Sequence, residues 1–210
     1  MRSTEVKPMT RLLGLIVTDA SPLITLAAGD ALECLTMPGV PVIIPDMVYF
    51  EVTQDLAKTG AEDIVRWARK HHGQVEIVPT TVFSEFQTLM TVNPQTRSKG
   101  RGEQAAFEIL NAAIAEAPEL EAILFFEDTD IKKRRFVRGL PENVMALSTG
   151  DLLYELEAAG RIQSADHILD VAVAKGRNVE AQRSPQSDDE ARALLREQLC
   201  QGGKPPISEC

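Results

Sequence analysis

The sequence predicts an α/β fold: a central, mostly parallel sheet with helices on both of its faces. Three observations carry this. Short, continuous apolar runs alternate with longer stretches at helical spacing along the chain. The apolar runs are bounded by turn-formers, as strands buried in a sheet are. With 210 residues, 44% of them hydrophobic and 25% charged, the chain has ordinary globular composition and length enough for a sizeable core.

The elements follow in order. Gly14 to Asp19 reads as the first buried strand, and Ser21-Pro22 as a helix start with Ser as N-cap and Pro at the first helical position. Val40 to Ile44 is a second strand, whose prolines place it near a sheet edge or at strand ends. Pro45 starts a helix with Val48, Val52 and Leu56 on one face, and residues 61–72 form the next. A third strand covers Val75 to Val78, a helix Thr80 to Thr91, and a polar loop Asn93 to Gly100. Gln104 to Ala115 has the clearest helical periodicity, with Ala105, Ala106, Ile109, Leu110, Ala113 and Ile114 on one face and Pro118 as its stop. Ala122 to Phe126 is the fourth strand, Ile131 to Arg138 a basic helix, and Val144 to Leu147 the fifth strand. Helices over 151–159 and 164–175 close the core. The expected organisation is a lead-in over 1–13, a domain over 14–176, and a polar tail over 177–210 holding one short helix near 189–199.

Composition narrows the function classes. Cys34, Cys200 and Cys210 make no disulfide framework and no Cys-x-x-Cys zinc pair, so a reducing, cytoplasmic setting is expected. A net charge of −9 argues against broad coating of nucleic acid, though not against a basic patch beside an acidic site. The stretch from Leu12 to Ala28 is broken by Asp19 and Pro22, which leaves an unbroken apolar run over only 12–17, too short for a signal sequence or membrane helix, so no membrane partner is expected. His71, His72 and His167 accompany no Cys or Ser in a triad pattern.

In doubly wound sheets ligands bind beyond the carboxyl ends of the strands, at the switch point. Asp19 follows the first strand directly, and Asp128 follows the fourth with Glu127 and Asp130 beside it. Glu103 opens the helix before strand four, and Glu51 lies in the helix after strand two. Singly, each has a plain structural reading: a turn or cap residue, a first-turn helix glutamate, a solvated side chain. Jointly, acids at the tips of neighbouring strands converge in one crevice. Crowded carboxylates without His or Cys suit a hard divalent cation, magnesium or manganese.

The segment Ile16-Val-Thr-Asp-Ala-Ser-Pro-Leu-Ile24, the helix-borne Glu51, the stretch Gly100-Arg-Gly-Glu-Gln-Ala-Ala106 and the stretch Phe126-Glu-Asp-Thr-Asp130 resemble a PIN domain over roughly residues 14–160. The resemblance implies a PIN-like three-layer α/β/α sandwich and a VapC-like toxin or another ribonuclease dependent on Mg2+ or Mn2+. By that resemblance Asp19, Glu103 and Asp128 match the metal-binding acids and Glu51 the helix-borne acid, while Ser21 matches a small polar residue that helps hold water or phosphate. The fourth motif departs from the adjacent acids usual in the family, so Asp128 and Asp130 compete for one role. Arg97, Lys99 and Arg101 before Glu103, and Lys132 and Arg134 after Asp130, fit phosphate contacts. The implied partners are an RNA substrate, an antitoxin protein and a second copy of the chain. Two other classes compete: a non-catalytic PIN-like binding module, and a nuclease acting on DNA. A haloacid-dehalogenase phosphatase would need an Asp where Ser21 stands.

Overall fold

The computed structural model describes residues 13–127 and 139–201. Five strands, β1 (Leu13–Thr18), β2 (Val42–Pro45), β3 (Val75–Val78), β4 (Glu121–Phe125) and β5 (Val144–Leu147), form one sheet in the order β3-β2-β1-β4-β5, and every pairing is parallel. Parallel neighbours cannot be joined by a tight hairpin, and helices fill the crossovers from β1 to β2, β2 to β3 and β3 to β4. The described helices are α1 (Ala20–Ala28), α2 (Asp46–Thr53), α3 (Ala61–Lys70), α4 (Thr81–Val92), α5 (Arg101–Glu116), α6 (Thr149–Ala158), α7 (Ala165–Ala174) and α8 (Asp189–Gln201). The chain is thus a three-layer α/β/α sandwich of the PIN-like kind the sequence predicts.

The period-2 alternation of the strands divides the core in two. On one face Ile16, Val42, Ile44, Ile123 and Phe125 pack with the apolar sides of α1, α3, α6, α7 and α8. On the other, Val17, Ile43, Ala122 and Leu124 meet Ala106, Ile109 and Leu110 of α5. A third, smaller cluster joins Met47, Phe86 and Ala105, from α2, α4 and α5.

Several boundaries differ from the sequence reading for physical reasons. Helix α1 begins at Ala20, with Asp19 and not Ser21 at the N-cap position. Pro22 still falls in the first turn, where a missing N–H costs nothing. Strand β2 follows Pro41 and ends on Pro45 but lies inside the sheet, between β1 and β3, so its prolines mark strand ends and not an edge. Helix α5 starts at Arg101, three residues before its apolar periodicity does, with Gly100 as a left-handed N-cap (φ 79°). The basic helix expected over 131–138 lies outside the described residues.

The segment after α7 is stitched to the body. Gln182 accepts from the N–H of Gly150 at 3.0 Å. The buried Asp151 carboxylate accepts from Ser148 Oγ at 2.7 Å, Gln186 N at 3.0 Å, and Ser187 N and Oγ at 2.9 and 2.7 Å. These bonds position α8, whose Ala191, Leu194, Leu195 and Leu199 are buried against the core. Among the described residues no helix is long and apolar enough to cross a membrane.

Candidate active site

The sheet reverses its strand order at β1, which pairs with β2 on one side and β4 on the other. Asp19 is the first residue past β1, and its N–H donates to the carbonyl of Phe125 at 3.0 Å, which holds it against the tip of β4. Its backbone is extended (φ −85°, ψ 174°), but its side chain does not cap α1. The carboxylate instead points at α5: Oδ1 lies 3.4 Å from the place a Cβ on Gly102 would occupy. Asp19 is 93% buried in this position (7% exposed).

Glu51 arrives at the same point from α2. Its Oε2 lies 3.0 Å from that Gly102 position, with Val48 Cγ2 at 3.3 Å. Asp46, at the start of α2, fixes the helix's direction by accepting from Met47 N at 2.8 Å and from Thr80 Oγ1 and N at 2.6 and 3.0 Å. Gly102 is buried in the first turn of α5, and a side chain there would press on Glu51 and Val48 and stand between the two carboxylates. The first-turn N–H groups have no intrahelical partners and carry the positive end of the helix dipole, which offsets part of the repulsion between Asp19 and Glu51.

Glu103 stands on the same turn, with Oε2 3.5 Å from where a Cβ on Gly100 would be. Among the described residues no three His, Cys, Asp or Glu side chains gather tightly enough to hold one ion. Asp128, Asp130, Lys132 and Arg134 lie outside the described residues. The oxygen donors present are still of the hard kind that suits Mg2+ or Mn2+. The structure thus brings Asp19 and Glu51 around one glycine and places Glu103 one residue beyond it.

Glu127, the first acid of the fourth motif, turns into the other face of the sheet. Thr25 Oγ1 donates to its Oε2 at 2.8 Å, and Arg177 Nη2 stands 3.5 Å from the same oxygen. Burial pushes this carboxyl above its ordinary range, against the lowering pull of Thr149, Thr25 and Arg177. Arg177 also donates to Thr25 Oγ1 at 2.9 Å and to the Ser21 carbonyl at 3.4 Å, so the first turn of α1 is held from the C-terminal side of the chain. Ser21 itself is half-buried in that first turn. His71 Nε2 stands 2.7 Å from Glu33 Oε2.

Of the expected cations, Arg97 and Lys99 are exposed on the loop before α5. Arg101 is half-buried, its guanidinium carbon 5.4 Å from the centre of the Phe86 ring. Phe86 belongs to an aromatic group with Phe50 and Phe83, ring centroids 5.4 to 6.4 Å apart. Sequence reasoning missed this group because its members come from two helices some thirty residues apart. The one available signal was Phe50 beside Glu51.

A family model described as a PIN domain matches residues 15–93, which takes in Asp19, Ser21 and Glu51 and stops short of α5. A comparison with curated proteins found no match. PIN domains are generally nucleases, and those nucleases typically use divalent metals.

Proposed function

We propose that this chain, a PIN-domain protein by the match over residues 15–93, is a metal-dependent endoribonuclease. The observation that carries the reading is the meeting of the Asp19 and Glu51 carboxylates at Gly102, at the switch point of the sheet and the N-terminus of α5. Asp19, Glu51 and Glu103, with Asp128 or Asp130, would hold one or two Mg2+ or Mn2+ ions. When bound, such an ion supplies water activation and neutralises charge on the scissile phosphate. Asp19, buried and tied to β4, provides the fixed wall of the site. Glu51 is half-buried on the side of α2, which suits it to accept a proton from, or orient, an attacking water. Ser21, on the first turn beside Asp19, fits a contact to a phosphate oxygen or to that water. Arg97, Lys99 and Arg101, with Lys132 and Arg134, would neutralise the substrate backbone that an acidic site alone would repel.

RNA is the expected substrate and DNA the alternative, with cleavage of matched labelled oligonucleotides as the discriminator. As a toxin, the chain would be held inactive by a small antitoxin protein, and a second copy would be a natural partner. The neighbouring reading frame is the cheapest place to look for that antitoxin.

The test is cleavage with added Mg2+ or Mn2+, by protein purified free of contaminating nucleases. Asp19→Asn, Glu51→Gln and Glu103→Gln should each abolish it. Residues that act as a unit are non-additive, so Asp19→Asn with Glu103→Gln should cost little more than either alone. Whichever of Asp128 and Asp130 is the ligand should match Asp19 in severity. Full activity of Glu103→Gln would refute the assignment. The competing reading that the sequence left open is a partner-binding module. A folded wild type that cleaves nothing under any metal would decide for it.

A further inference from the structure

We infer that Phe86 is a positioning residue, holding Arg101 as an uncommitted cation for a phosphate of the bound strand beside the scissile one. The inference rests on the nuclease reading and assigns a role within its substrate site. Arg101 opens α5 one residue before Gly102, whose own surroundings are the Glu51 and Asp19 carboxylates. An arginine so close to acids would ordinarily close on one. Arg66, Arg177, Arg183, Arg192 and Arg196 each do so. Arg101 has no ion pair among the described residues; its guanidinium lies over the Phe86 ring, 5.4 Å from the centroid. That distance is within the ~6 Å reach of cation–π attraction.

The ring is a rigid support. Phe86 is only 2% exposed and is packed by Phe50 at 5.7 Å and Phe83 at 6.4 Å. Phe50 immediately precedes Glu51 on α2. One aromatic group therefore sets the position of a carboxylate of the site through Phe50 and of a guanidinium through Phe86. A guanidinium held over a ring by cation–π attraction commits none of its N–H groups there, and its planar fork matches two oxygens of a phosphate. Held over the ring, Arg101 keeps its charge for the substrate.

The test is binding of a labelled single-stranded RNA to the full chain, with Ca2+ replacing Mg2+ or Mn2+ to suppress cleavage, followed by anisotropy across a salt series. Arg101→Gln should weaken binding about tenfold and lower the salt slope by about 0.7, the share of one phosphate contact on a single strand. Phe86→Leu should weaken binding by a similar factor in the wild-type background and by less than twofold when Arg101→Gln is already present. That coupling separates positioning from a merely structural role, which would act alike in both backgrounds. Should Phe86→Leu fail to fold, NMR of the wild type carries the question: the Arg101 side-chain protons should show ring-current shifts, and random-coil values would overturn the stack. Equal losses from Phe86→Leu in both backgrounds, or a salt slope that ignores Arg101, would overturn the inference and leave the nuclease reading standing. A wild type that binds no RNA would sink both.

Discussion

Replacing Gly102 with alanine separates the site from the fold more cleanly than any loss of charge. The new methyl carbon would sit 3.0 Å from Glu51 Oε2, 3.3 Å from Val48 Cγ2 and 3.4 Å from Asp19 Oδ1. Only the first two are tighter than ordinary contact, and each is relieved by a shift of a few tenths of an ångström. Glu51 is the end of a flexible, half-buried side chain and is the group that will yield; Asp19, tied to β4 through its backbone, will not. Alanine meanwhile gains up to ~1 kcal/mol over glycine in a helix interior, less in a first turn. The two effects should nearly cancel, leaving stability within ~0.5 kcal/mol and Tm within about 2 °C for a chain of this size. The site pays differently, because the methyl stands between the two carboxylates and forces Glu51 away. Misplacement by 1 Å can cost ~100-fold in rate, so a shift of a few tenths predicts a loss on the order of 10-fold. Calorimetric titration with Mn2+, melting by fluorimetry and cleavage of a labelled RNA measure the three quantities on one preparation. Unchanged metal affinity and cleavage would refute the proposal that these carboxylates work around Gly102. A fall in Tm of more than about 5 °C would instead show that Glu51 cannot yield and that the contact is structural.

Other perturbations have definite expected outcomes. Without metal, Asp19→Asn removes one of two facing charges and should melt at or above the wild-type temperature, whereas millimolar Mn2+ should stabilise the wild type alone; stabilisation of both by metal would remove Asp19 from the ligand set. Gly150→Ala should destabilise by about 3 kcal/mol, read by urea melts, because its Cβ would fall 1.9 Å from the Gln182 carbonyl oxygen and the backbone that seats α8 would have to move; a neutral outcome would mean the 180–188 segment is not held as described. Burial works to raise the Glu108 carboxyl, but the N–H and hydroxyl of Thr81 and the N–H of Val82, which it accepts at 2.8, 2.7 and 3.3 Å, outweigh that and hold it below the ordinary carboxylate range. A carboxylate lowered on folding stabilises above its unfolded pKa and loses that contribution as pH falls through the lowered value. Glu108→Gln should therefore cost about 1 kcal/mol at neutral pH, and the gap from wild type in thermal melts should close on acidification; a gap independent of pH would refute the charge-based account.

The sequence by itself determined the layers. Runs such as Ile16-Val17 and Ile123-Leu124-Phe125 are apolar on both faces, and only a sheet covered on both sides buries such runs, so five strands and their parallel arrangement were legible. The placement of Asp19 directly after a buried strand and of Glu51 on the helix after β2 was legible too, because an acid among apolar residues stands out against its surroundings. The start of α5 was not, since Arg101-Gly-Glu103 carries no apolar spacing and the left-handed Gly100 cap is a backbone fact. Only the tertiary structure decided that Gly102 is the point where the two acids meet. Periodicity reports which way a side chain faces along its own element, while the distance between two elements is set by the smallest residue at their crossing. The same limit hid the group of Phe50, Phe83 and Phe86 beneath Arg101, and the seating of α8 through Asp151 and Gln182. Those contacts join residues between three and thirty-six positions apart, and such closures are chosen by packing of the whole chain and by the need to pair buried polar groups.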